Sequence, residues 1–280
     1  MAVARTKTDI MARLGAAGLG PRKLRGQHFL IDGNFLDAIV RHAAVGPGDA
    51  VLEIGTGTGV LTDPLADRAG AVLSVDIDAR LQAIARQSRA WPETVRFFTG
   101  DVLAGKHRLN PDLCAIWAEV AGKLRRRLVA NLPYNIATPL LANVLWSGGF
   151  VDDAVVLVQR EAAERFVARV GSGAYGPMSI AVSLLAEARI LRHVGPHIFW
   201  PPPKVESALL ALRVRDAARA RAWREAGLPE LLATGFRWRR KTLRRAFPAA
   251  RLEAAGIDPG ARPQEVPPEA WPSLLTVPPS

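Results

Sequence analysis

Ala50-Val51-Leu52-Glu53-Ile54, running straight into Gly55-Thr56-Gly57-Thr58-Gly59, is the stretch on which the fold turns. The first five residues have the length and apolarity of a buried strand. The glycines break that strand into a loop, and a helix over 60–69 follows. Upstream, 35–44 carries Phe35, Leu36, Ile39, Val40 and Ala43 at helical spacing and stops at Gly46-Pro47-Gly48-Asp49. Downstream, 71–75, 94–99, 128–130 and 154–159 read as strands, and 79–88, 138–146 and 160–170 as helices. This alternation predicts an α/β, Rossmann-like fold with a doubly wound, mostly parallel sheet. Residues 188–194 and 207–214 flank a Pro-rich connection and predict an antiparallel pair at the sheet edge. Past Asp216 the strand signals stop, and 229–247 reads as a helix with Leu232, Phe236, Leu243 and Phe247 on one face. The expected organisation is a basic flexible arm over 1–25, a ligand-binding α/β domain over 26–215 and a small helical domain over 216–280. Residues 106–127 read as a longer and more irregular segment than usual, with Trp117 there for packing and a base stack as the alternative.

With 280 residues, 49% of them hydrophobic, the chain has the composition of a soluble globular protein with a substantial core. No run approaches the roughly 18 apolar residues of a spanning helix. The first residues show neither an apolar signal core nor a small-residue cleavage site, so a cytoplasmic location is expected; an Arg-rich transit peptide is the alternative. Cys114 is the single cysteine and the five histidines are scattered, so neither a disulfide framework nor a metal site is expected. The net charge of +11, mostly arginine, favours a polyanionic partner, although a biased genome also yields Arg-, Ala- and Pro-rich chains.

The glycine loop alone is shared by many nucleotide-binding folds. A dinucleotide site has G-x-G-x-x-G, whereas here Glu53 stands two residues before Gly55-x-Gly57-x-Gly59. An acid at that place suits a ligand without a pyrophosphate but with a cationic amino-acid end, as in S-adenosyl-L-methionine. Asp76 follows the second strand, where a carboxylate can bridge both ribose hydroxyls. Asp101 follows the third, where it can accept from an adenine amine. Each could instead cap the next helix or turn.

Asn131-Leu132-Pro133-Tyr134 follows another strand, at the same carboxyl edge. An aromatic amine is a poor nucleophile, because its lone pair is delocalised into the ring. A methylating site must aim that lone pair and hold the amine by its hydrogens. The Asn131 side-chain carbonyl and a main-chain carbonyl before Tyr134 can accept those N–H groups, Pro133 fixes the turn, and Tyr134 can stack on the base. The alternative is an ordinary Asn-Pro turn.

Taken together, these stretches resemble the ribosomal RNA adenine dimethyltransferase family, in its small-subunit branch associated with kasugamycin sensitivity. The resemblance runs through Gly26-Gln27-His28-Phe29-Leu30, Glu53-Ile54-Gly55, Asn131-Leu132-Pro133-Tyr134-Asn135-Ile136 and Gln159-Arg160-Glu161. It continues through Ala174-Tyr175-Gly176 and Phe199-Trp200-Pro201-Pro202-Pro203-Lys204-Val205-Glu206-Ser207, roughly residues 22–215. It implies an S-adenosylmethionine-dependent methyltransferase that dimethylates the N6 amine of adjacent adenines in small-subunit (16S) ribosomal RNA. Its partner would be the small ribosomal subunit, and a monomer is expected. It places His28, Leu30, Gly55, Asp76, Asp101 and Asn131 on the cofactor, and Tyr134 and Phe199 on either side of the target adenine. The three prolines after Phe199 would stiffen that loop, with plain core packing of Phe199 as the alternative. The family usually has Asn where this chain has His28 and Pro where it has Thr56; a ring nitrogen of His28 can still hydrogen-bond.

Arg237, Arg239, Arg240, Lys241, Arg244 and Arg245 crowd the predicted C-terminal helix with Trp238 among them and no acid from Phe236 to Phe247. A charge run is commonly a solvated face, but here Arg237, Arg240, Lys241, Arg244 and Arg245 are expected on the RNA backbone, which positions rather than specifies. Three other readings compete. They are a large-subunit methylase of the macrolide-resistance type, a non-catalytic assembly or transcription factor on the same scaffold, and a protein-glutamine methylase. Leu132, the Phe-x-Pro-Pro-Pro-Lys stretch, the intact Asn131-x-Pro133-Tyr134 and the basic segment each speak against one of them.

Overall fold

The computed structural model describes residues 6–20 and 27–278. In chain order the first elements are α1 (Lys7–Ala16), β1 (Phe29–Leu30), α2 (Gly33–Ala43), β2 (Asp49–Ile54), α3 (Thr62–Ala66), β3 (Ala71–Asp76), α4 (Ala79–Gln87) and β4 (Val95–Thr99). Then come α5 (Pro111–Ala121), β5 (Arg125–Asn131), α6 (Tyr134–Ser147), β6 (Asp153–Gln159), α7 (Arg160–Val167), α8 (Pro177–Leu185) and β7 (Ala186–Val194). The chain closes with β8 (Phe199–Trp200), β9 (Ser207–Val214), α9 (Ala217–Glu225), α10 (Leu228–Phe236), α11 (Ala249–Ala254) and α12 (Ser273–Thr276).

Seven strands form one sheet in the order β4-β3-β2-β5-β6-β9-β7. The pairs from β4 to β6 are parallel, and β9 runs antiparallel to both β6 and β7. β2 and β6 are buried along nearly their whole length, as parallel strands covered on both faces must be. β7 lies at the edge and carries Glu187, Arg189, Arg192 and His193, charges and polarity that discourage pairing with another chain. One apolar layer packs α5, α6 and α8 on one face, and a second packs α2 and Leu61–Ala66 on the other. Strand order reverses between β2 and β5, so the loops leaving their carboxyl ends diverge and open the crevice in which such sheets bind ligands.

Four expectations are corrected. The flexible arm over 1–25 contains α1, closed at its start by a reciprocal Thr6–Asp9 capping box. Its Ile10 and Leu14 are buried against Phe29 and Leu81. Each such burial is worth about 1.5–3 kcal/mol, enough to dock a short helix that has little apolar face of its own. Residues 1–5 and 21–26, which include the rest of that arm and the expected motif residue Gly26, lie outside the described residues. The helix expected over 60–69 is only Thr62–Ala66, flanked by turns. Residues 106–127 are not irregular: Asn110 caps α5 through Asp112 and Leu113, Pro111 opens it, and the buried Trp117 donates Nε1–H to the Phe150 carbonyl at 2.7 Å. The helix expected over 229–247 ends at Phe236, and after a turn the chain re-forms only a short 3₁₀ segment, Leu243–Arg245. Leu232, Leu243 and Phe247 are buried as expected, although not along one helix. They belong to the same apolar cluster as α6 and α8, so packing is continuous across residue 216.

Candidate active site

A cavity of about 350 Å³ lies in the crevice, within the size range of small-molecule sites. Its walls come from Gln27–Leu30, from Glu53 and the glycine loop, from Asp76 and Ile77, from Asp101, and from Asn131 through Ile136.

The glycine loop is tied to the sheet, because the Gly55 and Thr56 N–H groups both donate to the Val75 carbonyl, at 2.8 and 3.1 Å. Gly55 has φ +90°, a region that side chains avoid, and a Cβ there would stand 3.3 Å from the Asn131 carbonyl oxygen. Glycine therefore lets the two loops that leave β2 and β5 touch. Asp76 is held from below, its Oδ2 accepting from Gly57 N–H and its Oδ1 from Asp78 N–H, both at 2.9 Å. The N-cap of α4 is Asp78, so Asp76 does not have that duty. Asp76 lines the cavity beside the glycine loop. Asp101 is exposed on the wall and is partly a turn residue, since its Oδ1 accepts from Leu103 N–H at 2.9 Å.

Glu53 is fully buried. Its Oε2 accepts from Thr62 Oγ1 at 2.5 Å and from Ser74 Oγ at 2.7 Å, while its Oε1 has no partner among the described residues. Burial pushes the carboxyl up to about 8, helped by the charge of Asp76 and opposed by the two hydroxyls. Sequence reasoning missed this network. Ser74, a polar residue in an otherwise apolar strand and directly across from Glu53 in the β2–β3 register, was the available signal. Ile77, 57% exposed beside Asp76, is a second missed wall residue and offers an apolar face to a ring.

β1 pairs with β8, Phe29 opposite Trp200 and Leu30 opposite Phe199, and this ladder brings His28 to the Asn131 loop. The His28 carbonyl accepts the Asn131 Nδ2–H at 3.2 Å. That contact fixes which end of the Asn131 amide is the donor and leaves Oδ1 as the acceptor. His28 Nδ1 stands 2.7 Å from the Pro201 carbonyl, which can only accept, so Nδ1 carries the proton. Tyr134 begins α6 after Pro133, and its hydroxyl shares a 2.6 Å hydrogen bond with Ser207 Oγ. Burial raises the phenol further above its usual range, so it stays neutral. The structure brings His28, Leu30, Gly55, Asp76, Asp101, Asn131, Pro133 and Tyr134 to one cavity. Phe199 is not among them. Only 2% exposed, it packs with Leu30, Phe35 and Leu209 in the core, which is the packing alternative. The ring lying against Tyr134 is that of His28, 5.5 Å away by centroids, and Phe199 stands 6.4 Å beyond it.

Arg237, Arg240, Lys241, Arg244 and Arg245 lie together on the turn and 3₁₀ segment after α10. Arg239 is set apart from them: its guanidinium donates to the carbonyls of Ser172 and Gly173. Among the described residues, no helix is long and apolar enough to cross a membrane.

Residues 21–276 match the family model described as ribosomal RNA adenine dimethylase. The ribosomal RNA small subunit methyltransferase A of Moorella thermoacetica is 36% identical, over 94% of each chain. Among solved structures, a dimethyladenosine transferase from Plasmodium falciparum aligns with a TM-score of 0.72 and 25% identity, covering 88% of this chain and 96% of that one. The 23S rRNA methyltransferase ErmE aligns at 0.61 and 26%, covering 88% and 98%.

Proposed function

This chain belongs to the ribosomal RNA adenine dimethylase family, and on that premise we propose that it dimethylates the N6 amine of adjacent adenines in small-subunit (16S) ribosomal RNA, with S-adenosyl-L-methionine as donor. In this reading residues 26–215 hold cofactor and target base, and 216–280 hold the RNA backbone. The protein acts as a monomer in the cytoplasm, on the small ribosomal subunit. The observation that carries the reading is the meeting of the Gly55 loop with an Asn131 whose side-chain acceptor is already oriented, inside one cavity.

The residues present fit the cofactor. The unpartnered Oε1 of Glu53 suits a cationic amino group near the glycine loop, and the Gly55 approach leaves backbone where a side chain would intrude. Asp76 would take the ribose hydroxyls, Asp101 the adenine amine, and Ile77 the adenine face. His28 and Leu30 would close the wall above them. Bound there, S-adenosylmethionine supplies an electrophilic methyl group. Asn131 Oδ1 would accept one N–H of the target amine. The Pro133 carbonyl already accepts from Ile136 and Ala137 in the first turn of α6, so the second acceptor falls to the Leu132 carbonyl. Held by both hydrogens, the amine nitrogen turns its lone pair outward, and Tyr134 supports the ring by stacking. No strong base is needed, since the nitrogen becomes acidic once methylated.

The test is tritiated methyl transfer to unmodified small-subunit particles, followed by nucleoside analysis. At saturating cofactor Asn131→Ala should be at least about a hundredfold slower, the cost of one preorganised polar contact at a reacting centre. RNA binding should largely survive, because phosphate contacts carry most of it. Full activity in Asn131→Ala would overturn the role of this residue, and a wild-type protein that transfers no methyl group would overturn the function.

A further inference from the structure

Trp238 lies outside the cavity and has no part in the chemistry above. It is 45% exposed, the one aromatic among the exposed large apolar side chains of the described residues. Solvent exposure of an indole is unfavourable, and this chain buries Trp117 and Trp271 almost completely.

The turn that carries Trp238 is held on both sides. Before it, Gly235 packs so closely on Trp271 that a Cβ would meet the indole at 2.6 Å. After it, the buried Leu243 donates its N–H to the Ala261 carbonyl at 2.9 Å. Within the turn, Lys241 N–H closes on the Trp238 carbonyl at 2.7 Å, and the Arg239 guanidinium clamps the Ser172 and Gly173 carbonyls. The indole is thus presented outward by a fixed frame. The guanidiniums of Arg237 and Arg245 lie over its ring, 6.0 and 5.3 Å from the centroid.

We propose that Trp238 is a stacking platform for an unpaired RNA base, with Arg237 and Arg245 beside it taking the adjoining phosphates; this rests on the reading that the chain acts on ribosomal RNA. An indole with two guanidiniums close to its ring matches a nucleotide, which offers a π-face and a negative charge at once. A base stacked on an aromatic ring is held more strongly than an exposed guanidinium. The incoming base therefore displaces the arginines from the ring toward its own backbone. A duplex offers phosphates but no free base face, so the platform prefers single strands.

The experiment measures binding of the full-length protein to an unstructured single-stranded oligoribonucleotide and to a duplex with the same number of phosphates, across a salt series. Trp238→Ala should weaken single-strand binding about five- to a hundredfold and duplex binding by less than about twofold. Its log–log salt slope should match wild type, because stacking releases no counterions. Trp238→Phe should recover most of the loss. Equal single-strand affinity for Trp238→Ala and wild type would overturn the platform and leave the indole to a protein contact. An equal loss on both probes, or a reduced salt slope, would also overturn it. Methyl transfer by wild type to small-subunit particles, measured in parallel, reports on the functional reading separately: its failure sinks that reading, whatever the oligonucleotides show.

Discussion

Glu53→Gln tests the proposed cofactor site through protons. Glu53 has its carboxyl raised from 4.5 to about 8, chiefly by burial. Between those values the folded chain keeps the proton and the unfolded chain releases it. The folded state therefore binds more protons, and stability falls as pH rises through that window. A shift costs about 1.4 kcal/mol per unit, so on the order of 3 kcal/mol is lost from about pH 5 to about pH 8. Glutamine copies the protonated acid. Its carbonyl can accept from Thr62 and Ser74, and its amide can stand where the unpartnered Oε1 is. Glu53→Gln should therefore lack this part of the decline and be more stable than wild type near pH 8.

Cofactor binding has the opposite sign. A cation beside Oε1 favours the carboxylate, so binding below about pH 8 expels a proton, and wild-type affinity climbs with pH by up to about tenfold per unit. In Glu53→Gln the climb should disappear, and affinity near pH 8 should drop. Denaturant titrations at the two pH values give the stability difference. Calorimetry in two buffers of different ionisation enthalpy counts the protons released. Identical pH slopes in both proteins, or no proton release by wild type, would refute the reasoning.

Two further outcomes are expected. Asp76→Ala should lower S-adenosylmethionine affinity about tenfold to a hundredfold, by removing charge-assisted hydrogen bonds worth roughly 1.5–3 kcal/mol; calorimetry on the folded variant checks it. Replacing Arg240, Lys241, Arg244 and Arg245 together by Gln should weaken RNA binding and reduce its log–log salt slope by about 0.7–0.9 for each phosphate these side chains neutralise. An unchanged slope would mean that these four only solvate the surface.

The α/β alternation was legible because buried parallel strands are short, apolar and bounded by glycine, and each such signal is local. The acids at the carboxyl edge were legible for the same reason: Asp76 and Asp101 stand where their strands end. What escaped depends on packing between segments distant in sequence. The helix beyond Phe236 is broken by no glycine or proline; Leu243 bonding to Ala261 and Arg239 clamping Ser172 and Gly173 stop it. Ile10 and Leu14 are buried because residues distant in sequence, Phe29 and Leu81 among them, come to them. The burial of Phe199 could not be read from the prolines that follow it, since stiffness does not say which way a ring points. α5 is different. Asn110 followed by Pro111 is a capping signal present in the sequence, and a reading centred on glycines passes over it.

The two halves of the proposed site are held by different means, and this bears on how specificity arises. The cofactor half rests on the sheet: the glycine loop hangs from Val75, and Asp76 is fixed by Gly57 and Asp78. In the base-facing half Asn131 ends β5, but its side chain rests on long bridges, Asn131 to His28 and His28 to Pro201, brought together by the two-residue β1–β8 ladder. β1 and β8 lie outside the seven-stranded sheet. A substitution at His28 or in the prolines beside Phe199 can therefore re-aim the Asn131 acceptor without disturbing the strands that position Asp76. In the proposed reading, substrate choice would then depend on the chain flanking the cofactor fold, through His28 and the prolines beside Phe199.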